Sequence, residues 1–191
     1  VGNILFAIET KDEYMKNELA EEIRMFVSEE NAEIEVKHCA APRQERMLHT
    51  VEIVMEGKRA GVQTEGALVS EQPMVKKRLD KRAAKLAAYQ CMVQLTGQTQ
   101  PWGSLTGVRP ASLLRQMQAE GTQREFVEVL GVHPEKAKLA EKIIQRQDAM
   151  MQATDRDSLC VYVGIPFCVT RCSYCSFPAV VAKKEIGRAH V

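Results

Sequence analysis

Three cysteines near the C-terminal end have a spacing that suits a metal cluster. Cys168, Cys172 and Cys175 form a C-x3-C-x2-C pattern, directly after an apolar run from Leu159 to Ile165 that predicts a buried strand. No further cysteine or histidine lies within this short loop, whereas a structural zinc site takes four ligands. Thiolates suit iron and sulfide. Three of them on an iron–sulfur cubane would leave one iron open to a small molecule.

This pattern resembles the motif of the radical S-adenosylmethionine (SAM) superfamily, in which an aromatic residue, here Tyr174, directly precedes the third cysteine. The wider match, from Tyr162 to Pro178, resembles the oxygen-independent coproporphyrinogen III oxidase group. Most of that group has histidine at the position of Gly164. This glycine, the Phe-Pro pair after the third cysteine and the segment PWGSLTGVRP at residues 101–110 are similar to its HemZ-type coproporphyrinogen dehydrogenase branch.

The resemblance implies two cofactors, a [4Fe–4S] cluster held by Cys168, Cys172 and Cys175 and a SAM molecule on its open iron. One electron from the cluster would split SAM, and the resulting radical would take a hydrogen atom from the substrate. In this group the substrate is coproporphyrinogen III, whose propionates lose CO2 to give the vinyl groups of protoporphyrinogen IX. The electron would come from a donor such as flavodoxin or ferredoxin.

Two tyrosines are expected to complete the SAM site. The resemblance implies that Tyr174 lies against a SAM molecule and that Tyr162 contacts SAM near the cluster, and an aromatic face can stack on adenine. A packing role for Tyr174 stays open. Strand alternation places Tyr162 on the same face as Gly164. Phe177 is expected to cover the cluster and keep it dry.

The overall composition indicates a cytoplasmic protein. Its 191 residues carry 26 basic and 25 acidic side chains, a formal net charge of +1, which gives no general attraction to nucleic acid or to an anionic membrane. No apolar run approaches the roughly 18 residues that a membrane span needs. The isolated Cys39, Cys91 and Cys160 are predicted to be structural, as free cysteines commonly are.

Residues 1–97 predict an α+β accessory domain. A short apolar strand precedes a helix that opens with a Thr10–Glu13 capping box. Three strands follow, in which apolar and polar residues alternate, and the turn Glu56-Gly57-Lys58 leads into the last and weakest of them, residues 60–64. The inward face of the first helix is predicted to comprise Met15, Leu19, Ile23 and Phe26.

A long helix from about Gln72 to Leu95 is predicted to close this domain. The sequence pattern places five apolar side chains on its inward face, namely Val75, Leu79, Ala83, Leu86 and Val93.

Residues 98–157 predict a linker and a helical connector. The linker, Gln98 to Pro110, is rich in proline and glycine. One helix is predicted from Pro110 to Gly121, and a short second one opens with a Thr122–Glu125 capping box. The third is predicted from Pro134 to about Ala153, with an apolar side of Ala140, Ile143, Ile144 and Met151.

Residues 158–184 carry the cysteine loop, and the resemblance makes them the first strand of a truncated radical-SAM partial (β/α) barrel. Barrel active sites lie at the C-terminal ends of the strands, which agrees with the position of the cysteines. Val1 in place of Met also indicates a fragment, which we expect to be inactive alone. Residues 185–191 back-translate to a sequence that resembles a sequencing-library adapter and are predicted to be an artefact.

Several other polar residues are candidates for a role outside the loop. His38, on an apolar strand face, is predicted to be a core histidine, and His133 to begin a helix. Arg109 could contact an anion or hold two domains together. Six cations at the start of the long helix predict a solvated face, with an anion site as the alternative, and these are Lys76, Lys77, Arg78, Lys81, Arg82 and Lys85.

Three rival functions stay open at the level of the sequence. The parent protein could be a haem chaperone of the radical-SAM group that performs no decarboxylation. It could catalyse another radical-SAM reaction, such as RNA modification. The α+β domain with its basic helix could instead bind nucleic acid, which a salt-dependent affinity for RNA would reveal.

Overall fold

The computed structural model of the chain describes residues 5–27, 33–154, 157–159, 161–168, 170 and 180–181. They belong to two units that divide between Met150 and Met151. The predicted α+β class is confirmed for the first unit, whereas the barrel and the domain boundaries at residues 97, 157 and 184 stay predictions. Among the described residues, no helix is both long and apolar enough to cross a membrane.

A four-stranded mixed sheet forms the base of the first unit. Its strands are β1 (Leu5–Glu9), β2 (Glu33–Arg43), β3 (Arg46–Met55) and β4 (Lys58–Leu68), in that order across the sheet. β1 pairs in parallel with β2, and the other two pairs are antiparallel. The predicted alternation is confirmed, because apolar residues of β2 and β3 are buried at every second position.

The predicted turn between β3 and β4 is confirmed and has a two-residue loop. Glu56 and Gly57 both have positive φ angles, of 52° and 75°. This geometry matches the right-handed twist of the two strands, and the second position suits glycine. β4 extends well beyond the predicted residues 60–64, because it pairs with β3 over nearly its whole length.

Helix α1 (Glu13–Arg24) connects the parallel strands β1 and β2. Its predicted inward face is confirmed, since all four of the predicted side chains are buried. The predicted capping box is wrong: Asp12 is the N-cap residue, and no side chain caps the helix. The Thr10 hydroxyl instead accepts a hydrogen bond from the Asp12 N–H at 3.2 Å and bonds to His38 Nδ1 at 2.8 Å.

Helix α2 (Pro73–Thr96) covers the sheet. The predicted inward face is only partly confirmed: Ala83 is buried and the half-buried Val93 packs against the core, whereas Val75, Leu79 and Leu86 are half-buried and lie outside that cluster. The stripe that packs on the sheet is made mainly of small residues, which let a helix axis approach a sheet closely. This alanine stripe comprises Ala83, Ala84, Ala87, Ala88 and Cys91.

Three further helices follow, α3 (Pro110–Glu120), α4 (Glu125–Glu128) and α5 (Pro134–Ala153), and the first two share a second apolar cluster with the start of α5. The predicted bounds of α3 and α5 are confirmed, with His133 Nδ1 accepting from the Glu135 N–H at 3.3 Å.

Two details of these helices were wrongly predicted. No side chain caps α4, because the Glu125 N–H donates to the Thr122 backbone carbonyl and not to its hydroxyl. On α5, Ala140 and Ile144 are buried, but Ile143 and Met151 are exposed. The buried side of α5 is formed by Ala137, Ala140 and Ile144, so Ile143 lies at its edge and Met151 lies beyond the last buried residue of the helix.

In the second unit, the predicted buried strand at residues 159–165 is wrong. Leu159 and residues 161–165 form no strand, and every apolar side chain among them is exposed. A strand needs a neighbour for its backbone hydrogen bonds, and within the described residues only β5 (Phe167–Cys168) and β6 (Val180–Val181) pair in this unit. The apolar run therefore has the composition of a core strand but pairs with no other strand among the described residues.

A chain of buried polar side chains joins the sheet to α2. Thr10 Oγ1 bonds to His38 Nδ1, His38 Nε2 lies 3.1 Å from His49 Nδ1, and His49 Nε2 lies 3.1 Å from Asp80 Oδ1. Asp80 also accepts from the Ala67 N–H at 3.0 Å and from Lys76 Nζ at 2.8 Å. The prediction of His38 as a satisfied core histidine is therefore confirmed.

The protonation states in this chain follow from its surroundings. Burial lowers the pKa of His38, and the nearby His49 lowers it further, so His38 is neutral at pH 7. Burial raises the pKa of Asp80, but the hydrogen bonds from Lys76 and the Ala67 N–H, together with the nearby His49, outweigh it and hold that pKa below its usual value. Asp80 is therefore an ionised acceptor on which several donors depend.

Replacing Asp80 with alanine is expected to lower the free energy of unfolding by about 3 kcal/mol, because buried donors lose a charged acceptor. Chemical unfolding followed by circular dichroism measures this change. The matched control is Glu65→Ala, which removes an exposed carboxylate paired with Arg46 and should cost about 0.5 kcal/mol or less. Equal losses in the two variants would contradict a structural role for the buried chain.

Candidate functional site

One of the three predicted metal ligands lies in the short strand pair of the second unit. Cys168 ends β5 and is exposed, while Cys172, Cys175 and the predicted SAM-contacting Tyr174 lie outside the described residues. β5 pairs in parallel with β6, with Phe167 opposite Val180 and Cys168 opposite Val181. Both remaining cysteines therefore belong to the connection between two adjacent parallel strands.

Tyr162, the other predicted SAM contact, lies on the chain that leads into β5. Its side chain is 84% exposed. A Cβ atom added to Gly164 would come within 3.3 Å of Tyr162 Cε1, so the ring lies directly beside the glycine. The absence of a side chain at Gly164 therefore leaves room for this position of the ring.

The cysteines of the loop are better suited to hold an iron–sulfur cluster than the other cysteines of the chain. Three thiols in one short connection suit soft metal ions, and the described one, Cys168, is accessible. Cys91 is completely buried, donates through its Sγ to the Val51 carbonyl at 3.3 Å, and has its pKa raised by burial to about 12. Its thiol is therefore a structural one, as predicted. Cys39 is exposed on β2, and Cys160 lies outside the described residues.

No group of three or more potential metal-ligating side chains occurs within the described part of the chain. Only Cys168 of the predicted ligand set lies in that part, so the ligand set stays a prediction. This prediction rests on the residue types and spacing of the loop.

The segment at residues 101–110, which has the second similarity to the HemZ-type branch, packs against the helical cluster. Gly103 has a φ angle of 57°, and a Cβ atom there would come within 2.0 Å of the Leu130 carbonyl oxygen. The Ser104 N–H donates to that same oxygen at 2.9 Å, and its hydroxyl does so at 3.2 Å. Glycine and a small polar residue are therefore required here by close backbone contact.

The same segment is tied to the α+β part through a buried carboxylate. The Thr106 hydroxyl donates to Glu22 Oε2, and the Thr106 carbonyl accepts from Lys85 Nζ at 3.1 Å. Glu22 Oε1 is buried and has no hydrogen-bond partner among the described residues. Burial raises the pKa of Glu22 to about 7, although the Thr106 hydrogen bond and the charge of Lys85 act against it. The side chain is therefore close to half-protonated at neutral pH.

A groove with a volume of about 520 Å³ lies between α2 and residues 104–109. It is lined by five of the six cations that were predicted to form a solvated face. The prediction of a solvated face is wrong for two of the six. Lys85 is buried and pairs with Glu18, and Lys76 pairs with Asp80 away from the groove. Arg109 also lines this groove and is exposed.

Sequence reasoning missed Glu22 and Lys85 as buried ionisable groups. Glu22 lies three residues after Leu19 and four before Phe26, which places it on the inward face of α1. That spacing was a usable signal. Lys85 carried no such signal, because its burial depends on Glu18 and Thr106 from other parts of the chain.

The chain is similar in sequence to one curated protein. It is 34% identical over 143 residues to the oxygen-independent coproporphyrinogen-III oxidase-like protein HemZ of Bacillus subtilis, an alignment that covers 70% of this chain. The predicted resemblance is therefore confirmed. The chain spans 28% of the length of that relative. No family model matches the sequence.

The half-titrated Glu22 predicts a characteristic pH dependence. A carboxyl group whose pKa is raised by folding stabilises the fold fully below its ordinary pKa, and this contribution is lost as the pH rises through about 7. The variant Glu22→Gln keeps an acceptor for Thr106 but cannot ionise. Its stability relative to the parent chain should rise by about 2 kcal/mol between pH 5 and pH 8.

Unfolding of both proteins by urea at a series of pH values tests this expectation. The opposite pH dependence that the neutral His38 contributes is present in both proteins and cancels in the difference. A difference in unfolding free energy that does not change with pH would show that Glu22 titrates normally.

Proposed function

We propose that this chain, a relative of an oxygen-independent coproporphyrinogen III oxidase-like protein, is the front part of a radical-SAM enzyme of haem biosynthesis. The whole enzyme would convert coproporphyrinogen III propionates to vinyl groups, giving protoporphyrinogen IX. The C-x3-C-x2-C loop carries this proposal, because its three thiols suit an iron–sulfur cluster with one open iron. The similarity to the Bacillus subtilis protein supports the substrate class.

In this proposal, Cys168, Cys172 and Cys175 hold a [4Fe–4S] cluster, and SAM binds beside them. When bound, the pair supplies one-electron chemistry that generates a hydrogen-abstracting radical. The residues of the protein would position the two cofactors and exclude water from them. Tyr162, which is exposed beside Gly164, and Tyr174 would contact SAM, and Phe177 would exclude water from the cluster.

The exposed apolar run before the loop supports the proposal that the loop belongs to a larger domain. Leu159, Val161, Val163 and Ile165 are each more than 70% exposed. A contiguous apolar surface of this kind normally packs against another element. We propose that further barrel strands of the whole protein pair with this run. This chain alone would then not turn over substrate.

We also propose that a cytoplasmic donor such as flavodoxin or ferredoxin supplies the electrons to the whole enzyme.

Anaerobic reconstitution of the chain with iron and sulfide should load about four iron and four sulfide per chain if the three thiols hold a cubane. Iron and sulfide analysis, together with the broad absorption of such clusters in the visible region, measures the loading. The triple variant Cys168→Ala/Cys172→Ala/Cys175→Ala should bind almost none.

The matched control is Cys39→Ala, which removes an exposed thiol outside the loop and should load as much iron as the parent chain. Equal iron content in the triple variant and the parent would overturn the assignment of these three ligands. In the whole protein, the same triple substitution should abolish the formation of protoporphyrinogen IX, whereas Cys39→Ala should retain it.

A further inference from the structure

We propose that the groove between α2 and residues 104–109 binds a compact polyphosphate group. This site is separate from the cysteine loop, and the proposal does not depend on the function of that loop. The groove is defined by the first three turns of α2 on one side and the Ser104–Arg109 segment on the other. Its volume of about 520 Å³ lies in the usual range for small-molecule sites.

The charge of the groove is strongly one-sided. Among the described residues, one carboxylate lines it, that of Glu18, and this group pairs with both Lys81 and Lys85. The lining cations outnumber it sixfold and comprise Lys77, Arg78, Lys81, Arg82, Lys85 and Arg109. Phosphate oxygens are strong partners for arginine forks and lysine ammonium groups.

Several of these cations have no anionic partner within the described residues. Arg78 and Arg109 form no ion pair there, and Lys77 lies over the Tyr14 ring at 4.8 Å, which leaves its charge uncompensated. Burial lowers the pKa of Arg82, and the nearby Arg78 lowers it further, although the charge of Glu120 acts in the opposite direction. Lys77, Arg78 and Arg109 are therefore available to an incoming anion, whereas Arg82 has Glu120 nearby.

The arrangement of the cations along α2 places like charges next to one another on the helix surface. Lys77, Lys81 and Lys85 follow one another at four-residue intervals, and Arg78 and Arg82 do the same on the adjacent row. Like charges at this spacing repel each other on a helix, and cations in the first turns oppose the helix dipole. The first turn of α2 contains no acidic residue that would offset this repulsion.

The distribution of charge over the rest of the first unit favours a compact ligand over a long nucleic acid. The formal net charge of the whole chain is only +1. Helix α1, which packs beside α2, contributes Glu13, Glu18, Glu21 and Glu22. A nucleic-acid surface normally continues as a basic stripe along the backbone, whereas this groove is a compact site with a local excess of six cations over one carboxylate.

Calorimetric titration of the full chain with sodium tripolyphosphate tests the proposal. At physiological salt we expect one site per chain and a rise in the melting temperature that increases with ligand concentration. The groove variant Lys77→Gln/Arg78→Gln/Arg82→Gln should weaken binding about tenfold or more. Without ligand, the same variant should melt at or above the temperature of the parent chain, because it relieves the repulsion along α2.

The matched control is Lys138→Gln/Lys142→Gln/Arg146→Gln, which removes the same charge from an exposed row on α5. It should bind tripolyphosphate with an affinity within about twofold of that of the parent chain, because these cations lie outside the groove and salt screens their charge. No binding by the parent chain, or equal weakening in both variants, would overturn the proposal.

A second experiment tests nucleic acid as the ligand, with a 20-base-pair RNA duplex in place of tripolyphosphate. Duplex binding that tripolyphosphate does not displace would also overturn the proposal.

Discussion

The packing of helix α2 on the sheet through a stripe of small residues is the interaction on which the first unit depends. Alanines at 83, 84, 87 and 88 are buried against β3 and β4, so the helix axis can approach the sheet closely. This approach brings Asp80 within reach of His49 and of the Ala67 N–H. The sheet also accommodates it at Gly66, where a Cβ atom would come within 2.5 Å of Asp80 Oδ1.

Other side chains of α2 contact segments that follow the helix within the first unit. Lys85 binds the Thr106 carbonyl, and Tyr89 accepts from the Gln100 N–H at 3.4 Å and lies close against Gly131. The same helix therefore covers the sheet, holds the segment at residues 101–110 and contacts the helical cluster. The basic groove exists because that segment is fixed beside the first turns of α2. The buried Glu22 takes part in this attachment by accepting a hydrogen bond from the Thr106 hydroxyl.

Local patterns predicted the elements well, and tertiary contacts decided what the patterns missed. Alternation located β2 and β3, and proline and glycine located the bounds of α3. The inward face of α2 was misplaced because hydrophobicity favours Val75 and Leu79 over alanine, whereas close helix–sheet packing requires small residues. The run at residues 159–165 has strand composition, but a strand also needs neighbours. The cysteine ligands were suggested by spacing and residue type alone, since two of them lie outside the described residues.

The most direct test of the proposed chemistry is electron paramagnetic resonance of the reconstituted, dithionite-reduced chain with and without SAM. Three thiolates on a cubane leave one iron free to take SAM, so the signal of the reduced cluster should change when SAM is added. The Cys168→Ala/Cys172→Ala/Cys175→Ala variant should show no cluster signal. A reduced-cluster signal that SAM leaves unchanged, or one that persists in the triple variant, would contradict an open-iron cluster in this loop.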